Sequence, residues 1–128
     1  MNNCQIQPGM LLSIVVISLK IKIDNKYIEI KEANNYLSRL IGLIGKRNID
    51  YGMYFPKCNS IHTLFMKENI NVIGLDEENI VIYKALNIKP YRFVRVKNKK
   101  TNILELPKNI GINININDTL CFEEENII

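Results

Sequence analysis

Asn59-Ser60-Ile61-His62-Thr63-Leu64-Phe65-Met66-Lys67 holds the single histidine of the chain inside a run whose side chains alternate. Successive side chains of a strand point to opposite faces, so Ile61, Thr63 and Phe65 are predicted to share one face and His62, Leu64 and Met66 the other. Both faces are then largely apolar, which is the pattern of a central strand, and His62 is expected among apolar neighbours. The fold class expected is therefore mainly β.

Outward from that run, short strands are predicted at Gly52 to Phe55, Ile70 to Leu75, Ile80 to Leu86, Tyr91 to Val96, Asn102 to Leu106 and Thr119 to Phe122. Asp76-Glu77-Glu78-Asn79 is a polar turn that makes a hairpin of its neighbours. Near the start, the alternation of Lys20-Ile21-Lys22-Ile23, the turn residues Asp24-Asn25-Lys26 and the strand Tyr27 to Ile30 predict a second hairpin. Between these regions Tyr36, Leu37, Leu40, Ile41 and Ile44 recur at i, i+3 and i+4, the spacing of an amphipathic helix over Ala33 to Ile44. Ile110 to Ile116 alternates apolar residues with Gly or Asn and reads as either strand or irregular loop. The expected architecture is a single compact β-sandwich or partly closed barrel (α+β by content), with one amphipathic helix near the N-terminus. One domain spans residues 1–128, with a disordered extension at 1–9 and a frayed acidic tail at 123–128.

Four motifs stand in register along this framework: Arg39-Leu40-Ile41-Gly42-Leu43, Gly52-Met53-Tyr54-Phe55, Val72-Ile73-Gly74-Leu75-Asp76 and Leu104-Glu105-Leu106. In order and spacing they resemble the uncharacterised bacterial and archaeal family called domain of unknown function 192, from about Ala33 to Phe122. The resemblance implies a small, mainly β fold with an early helix and no established activity. It also implies departures in this chain. Asn71 stands where an aspartate is usual, Gly74 where an aromatic is usual, and Asn109 and Asn117 where glycines are expected. Asparagine tolerates left-handed backbone angles, so both turns can survive.

A chain of 128 residues buries about two thirds of its unfolded surface and needs no disulfide staple. Seventeen basic residues against 13 acidic ones leave +4, a balance that solubility alone explains, and no nucleic-acid partner is expected. Lys97, Lys99 and Lys100 carry no interleaved aromatics and read as a solvated hairpin tip. Cys4, Cys58 and Cys121 form no CxxC spacing, so three thiols are expected and no metal or cofactor site. Met10 to Leu19 is apolar for ten residues, about half of what a membrane-spanning helix needs. It reads as an early strand, with an atypical signal segment as the alternative. A cytoplasmic protein is expected, with export or envelope association as the other reading.

No catalytic set emerges. His62 is the usual proton-shuttle residue type, yet nothing in sequence fixes a partner for it. Arg39, on the predicted helix beside a glycine turn, could fork onto a carboxylate or phosphate, or hold loop carbonyls in place. Asp118 sits at a predicted turn, where aspartate commonly bonds its own backbone. These three, Arg39, His62 and Asp118, are the candidate ligand-binding residues. The expected function is a non-enzymatic module that binds a protein or ligand. The alternative is a small-ligand binder or enzyme with Arg39 and His62 in one cleft.

Overall fold

The computed structural model describes residues 16–32, 49–64, 66–97 and 100–127. Nine strands follow one another: β1 (Val16–Ile23), β2 (Lys26–Glu32), β3 (Gly52–Phe55), β4 (Ser60–His62), β5 (Ile70–Leu75), β6 (Val81–Ile88), β7 (Phe93–Arg95), β8 (Asn102–Pro107) and β9 (Phe122–Ile127). Seven of them make one mixed sheet in the order β6-β5-β8-β3-β2-β1-β9, and β4 pairs with β7 in a small second sheet. The mainly β expectation holds. The helix expected over Ala33 to Ile44 lies outside the described residues, as do residues 1–9.

The first hairpin forms because its two-residue turn suits its sequence. Ile23 pairs with Lys26 across the turn, and Asp24 and Asn25 take φ of 53° and 65°. Such a left-handed pair matches the twist of the flanking strands and is tolerated best by short polar side chains. Leu19, Ile21, Ile23, Ile28 and Ile30 point inward and are buried, while the Lys20 ammonium lies outside, 4.8 Å from the centre of the Tyr27 ring. β2 and β3 are parallel neighbours, Ile30 facing Gly52. A Cβ on Gly52 would lie 2.8 Å from Ile30 Cδ1 and 3.1 Å from the Glu105 carbonyl oxygen, so only glycine allows the strands this close.

The sheet curls until its two edges meet. The Val81 N–H donates to the Asp118 carbonyl at 2.8 Å, Asn117 N–H to the Val81 carbonyl at 2.9 Å, and Leu120 N–H to the Asn79 carbonyl at 2.9 Å. These bonds join the start of β6 to the run that enters β9, the opposite edge. Asn117 takes φ of 77° there, as its turn requires. Inside the curl lies the larger core, from Leu19 and Ile21 through Ile73, Leu75 and Leu104 to Phe122, whose ring centre is 4.9 Å from that of Tyr54. A second core covers the other face of β3, β5 and β8. It holds Met53, Phe55, Ile70, Val72 and Ile103 under Ile61, Val94 and Val96 of the small-sheet region.

Two expectations are corrected, the central strand and the three free thiols. Asn59 to Lys67 is not a central strand: β4 stops at His62, because the Thr63 carbonyl turns to accept the N–H groups of Tyr91 at 3.0 Å and Met66 at 3.3 Å. His62 is exposed on the outer face of β4. Phe122–Ile127, which includes most of the acidic stretch, is strand β9 and pairs with β1, Glu123 opposite Lys20. Cys121 is disulfide-bonded while Cys58 is a free thiol; an odd cysteine count allows one bridge, and the spacing does not reveal it. Ile110 to Ile116 resolves to irregular turns, with Gly111 at φ of 88°.

Asn71 is a tie between three segments. Its buried side-chain NH₂ approaches the carbonyls of Ile110 at 2.7 Å, Lys108 at 3.2 Å and Pro107 at 3.3 Å, and its Oδ1 accepts the Asn87 N–H at 2.9 Å. Asn71→Asp would set a carboxylate against those carbonyls. Its urea midpoint at neutral pH is expected to fall by the equivalent of about 2–4 kcal/mol, since the donors are lost and acceptors face one another. The Asp pKa would be raised in the folded state, so the deficit shrinks as pH falls through that value; an equal deficit at all pH would contradict this assignment.

Candidate binding cleft

The segment Lys89-Pro90-Tyr91-Arg92-Phe93-Val94-Arg95 alternates in the strand manner. Val94 faces the second core at 6% exposure, while Phe93 projects outward at 70%. In the small sheet His62 is opposite Phe93 and Ser60 opposite Arg95, so these four share the outer face. Beside that face, between β6 and β7, opens a cleft of about 580 Å³. Tyr83, Asn87 and Ile88 line it from β6, and Lys89, Arg92, Phe93 and Arg95 from the other side.

Thr63 sets this geometry. It is fully buried, its hydroxyl donates to the Lys89 carbonyl at 2.7 Å and accepts the Arg92 N–H at 2.8 Å. Its own N–H donates to the Arg92 carbonyl at 2.9 Å. So held, the intervening Tyr91 adopts φ of 62°. Bulky residues rarely occupy that left-handed region, and the cost is on the order of 1–3 kcal/mol. The result is a tight corner that delivers Lys89 and Arg92 to one end of the cleft, with Arg95 further along.

No ion pair engages Lys89, Arg92 or Arg95 among the described residues; the Arg92 guanidinium lies 3.4 Å from the Tyr91 carbonyl and 3.5 Å from that of Pro90. Three cations beside low-dielectric walls concentrate a positive field, which draws anions. Phe93 and Tyr83 add ring surface for an apolar or planar group.

Two polar features lie away from the cleft. Glu105 stands between Met53 and Val72 in the sheet register, at 4% exposure in the second core. Burial pushes its carboxyl pKa up to about 8, so it is mostly neutral at pH 7. At the end of the larger core, burial and then Glu124 raise the Glu32 pKa, and burial and then Glu32 push the Tyr54 hydroxyl up to about 12. No group of three or more His, Cys, Asp or Glu residues that could hold a metal occurs among the described residues. Among the described residues no helix is long and apolar enough to cross a membrane.

Of the residues singled out from sequence, His62 stands on the outer face beside Phe93. Asp118 lies at the seam between β6 and β9, its Oδ2 accepting the Asn115 N–H at 2.8 Å. No hydrogen bond or ion pair joins His62 to Asp118, and Arg39 lies outside the described residues. Sequence reasoning missed Lys89, Arg92, Phe93 and Arg95, whose signal is the interleaving of Tyr91 and Phe93 with cations just upstream of the lysines it weighed. It also passed over Glu105, a lone charge within Ile103-Leu104-Glu105-Leu106.

No family model matches the chain, so the resemblance to domain of unknown function 192 rests on its motifs. The chain is 32% identical over 101 residues to a UPF0127 protein of Pyrococcus furiosus, covering 73% of this chain and 85% of that protein. It is 31% identical over 104 residues to a UPF0127 protein of Thermococcus sibiricus, covering 75% and 67%. Among solved structures it resembles a Sinorhizobium meliloti protein provisionally named a transcription regulator (TM-score 0.68, 12% identity, 86% of this chain and 95% of that one). It also resembles a Novosphingobium aromaticivorans protein of unknown function (TM-score 0.61, 13% identity, 94% and 99%). At such identities the two structures show the fold alone.

Thr63→Val keeps the shape of the corner but leaves the Lys89 carbonyl and the Arg92 N–H without their hydroxyl partner. A loss of about 2–3 kcal/mol is expected in urea unfolding. Amide hydrogen exchange at Arg92 should rise more than exchange at β5, and uniform behaviour would remove Thr63 from this role. Glu105 gives a pH signature. Its folded pKa lies above its unfolded value of 4.5, so its contribution is complete below about 4.5 and is lost as pH rises to about 8, by roughly 3–5 kcal/mol. Glu105→Gln should flatten the fall in stability over that window, and an unchanged slope would assign the fall to other groups.

Proposed function

The chain belongs to the UPF0127 family, and we propose that it acts as a non-enzymatic binding module that captures an anionic partner in the cleft between β6 and β7. The observation that carries this reading is Phe93, exposed at 70% in a strand whose other face is buried, beside three cations that no described carboxylate engages. An exposed aromatic gains nothing for the isolated fold, and aromatic and arginine side chains supply most of the energy of many interfaces. Thr63 supports the same reading, because buried hydrogen bonds to both ends of the corner hold Tyr91 in a costly backbone conformation. The same bonds fix where Lys89 and Arg92 begin.

A second reading is a small anionic ligand held with the help of His62 and Arg39. Its support is the register that sets His62 beside Phe93 on the outer face.

Immobilised wild-type protein and the double variant Arg92→Glu/Arg95→Glu, exposed to extract of the native host, test the module. Both side chains are exposed, so melting temperature should move little, by the equivalent of about 0.5 kcal/mol. Partners retained by the wild type should be lost from the variant. Equal retention by both proteins, or none above a blank support, would count against the cleft.

A further inference from the structure

The chemistry of the cleft's rim narrows the partner further, on the premise that the cleft is the binding surface. Thr63 N–H donates to the Arg92 carbonyl and Val96 N–H to the Asn59 carbonyl, at 2.9 and 2.7 Å. Residues 92, 94 and 96 therefore turn their backbone groups toward β4. By the alternation of a strand, the N–H and C=O groups of Phe93 and Arg95 point the other way. The lining residues from β6 and β7, with none from β4, place the cleft on that side. Among the described residues its rim is thus an unpaired strand edge, carrying donors and acceptors in alternation, with an aromatic ring and a guanidinium two residues apart on the same face.

We propose that the cleft takes an acidic, extended peptide segment of a partner protein, added as a third strand along the Phe93–Arg95 edge of β7. Main-chain bonds to Phe93 and Arg95 supply the pairing, as in other strand-addition complexes, and alternate side chains supply the specificity. A carboxylate two residues from an apolar side chain faces Arg95 while its neighbour lies on the Phe93 ring. A further carboxylate meets Arg92 and Lys89 where the Thr63 corner brings them in. A carboxylate is the natural partner of a guanidinium fork, and such pairs are directional.

Two other occupants fit less well. A nucleic-acid strand offers phosphate acceptors, but its donors lie on base edges and do not alternate with acceptors at the spacing of a strand edge, and three cations make few phosphate contacts. A second copy of β7 would gather the Lys89, Arg92 and Arg95 of both copies along one short seam, so like charges oppose self-pairing. The cations that attract an acidic strand thus also guard an edge that would otherwise aggregate.

The test uses the whole protein and fluorescence anisotropy with a labelled peptide whose core is Glu-Thr-Val-Thr-Glu. Two derivatives carry backbone N-methyl groups on one or the other alternate set of residues, and a single-stranded oligothymidylate of equal length serves as competitor. Saturable peptide binding is expected, weakened about tenfold or more by Arg92→Glu/Arg95→Glu. Phe93→Ala should weaken it as well, and N-methylation should matter on one alternate set only. Circular dichroism melts confirm that each variant is folded. If both N-methylated peptides bind as well as the parent, or oligothymidylate binds more tightly through the same arginines, strand addition falls while the anionic cleft stands. If no anionic probe responds to Arg92→Glu/Arg95→Glu, the cleft falls with it.

Discussion

Three adjacent strands, β5, β8 and β3, are apolar on both faces, and everything else in the fold follows from the need to cover them twice. Strands with one solvated face alternate, as β1 and β2 do. Ile70 to Leu75 and Gly52 to Phe55 instead are buried residue by residue, which is the mark of strands covered from both sides. One face is covered by the sheet itself: β2, β1 and β9 curl over it until backbone bonds at Val81 and Leu120 join the edges. The other face has no such resource and must import a cover. Ile61, Val94 and Val96 provide it, each burying apolar area worth on the order of 1.5–3 kcal/mol.

The cover sets the shape of the cleft. A two-stranded sheet laid over the second core has two edges of its own, and among the described residues only the β4 side of β7 is paired. The chain must also climb from the end of β6 onto the cover within the four residues from Lys89 to Arg92. Thr63 makes that step possible, since a buried hydroxyl with both a donor and an acceptor role is the smallest group that can hold both ends of such a corner. Gly74 serves the same packing from below: a Cβ there would lie 2.9 Å from the Tyr83 Cβ and 3.3 Å from Val96 Cγ2. An aromatic at that position, which the motif resemblance implies as usual, would lift the cover away from β5. Cover and cleft are therefore adjusted to a small residue at 74.

Local rules read the strands and turns well and read the layering poorly. The Asp24-Asn25 turn, the Asp76 turn with its Oδ1 accepting the N–H groups of Glu78 and Ile80, and the strands Gly52–Phe55 and Ile70–Leu75 follow from residue type and spacing alone. The run Asn59 to Lys67 shows why the rest did not. Its alternation is genuine, with Ile61 and Thr63 inward and His62 and Leu64 outward, yet period two does not say whether a strand is central or peripheral. Its apolar outer residue, Leu64, is 40% exposed, so hydrophobic character on a face did not mean burial. Thr63 read as one more strand residue, because its role depends on carbonyls about 26 residues away in sequence. For the same reason the cations of the cleft were legible as charges, while their convergence required the corner.

Phe93 and Glu105 are two residues that an isolated, stability-optimised domain would exchange. Phe93 lies on the strand that caps the second core, yet it points away from it, so its exposure follows from Val94 taking the inward place. Glu105 lies beneath that same cover, between Met53 and Val72. A neutral carboxyl there gives up hydration worth about 1–3 kcal/mol relative to an apolar side chain of similar size. The cost is bearable because protonation removes the far larger penalty of a buried charge, and it grows as pH approaches 8. The second core is thus the more conditional of the two. Its cover rests partly on a group that must stay protonated, and the edge of β7 that the cover exposes is where a third strand would add area and hydrogen bonds that the free domain lacks.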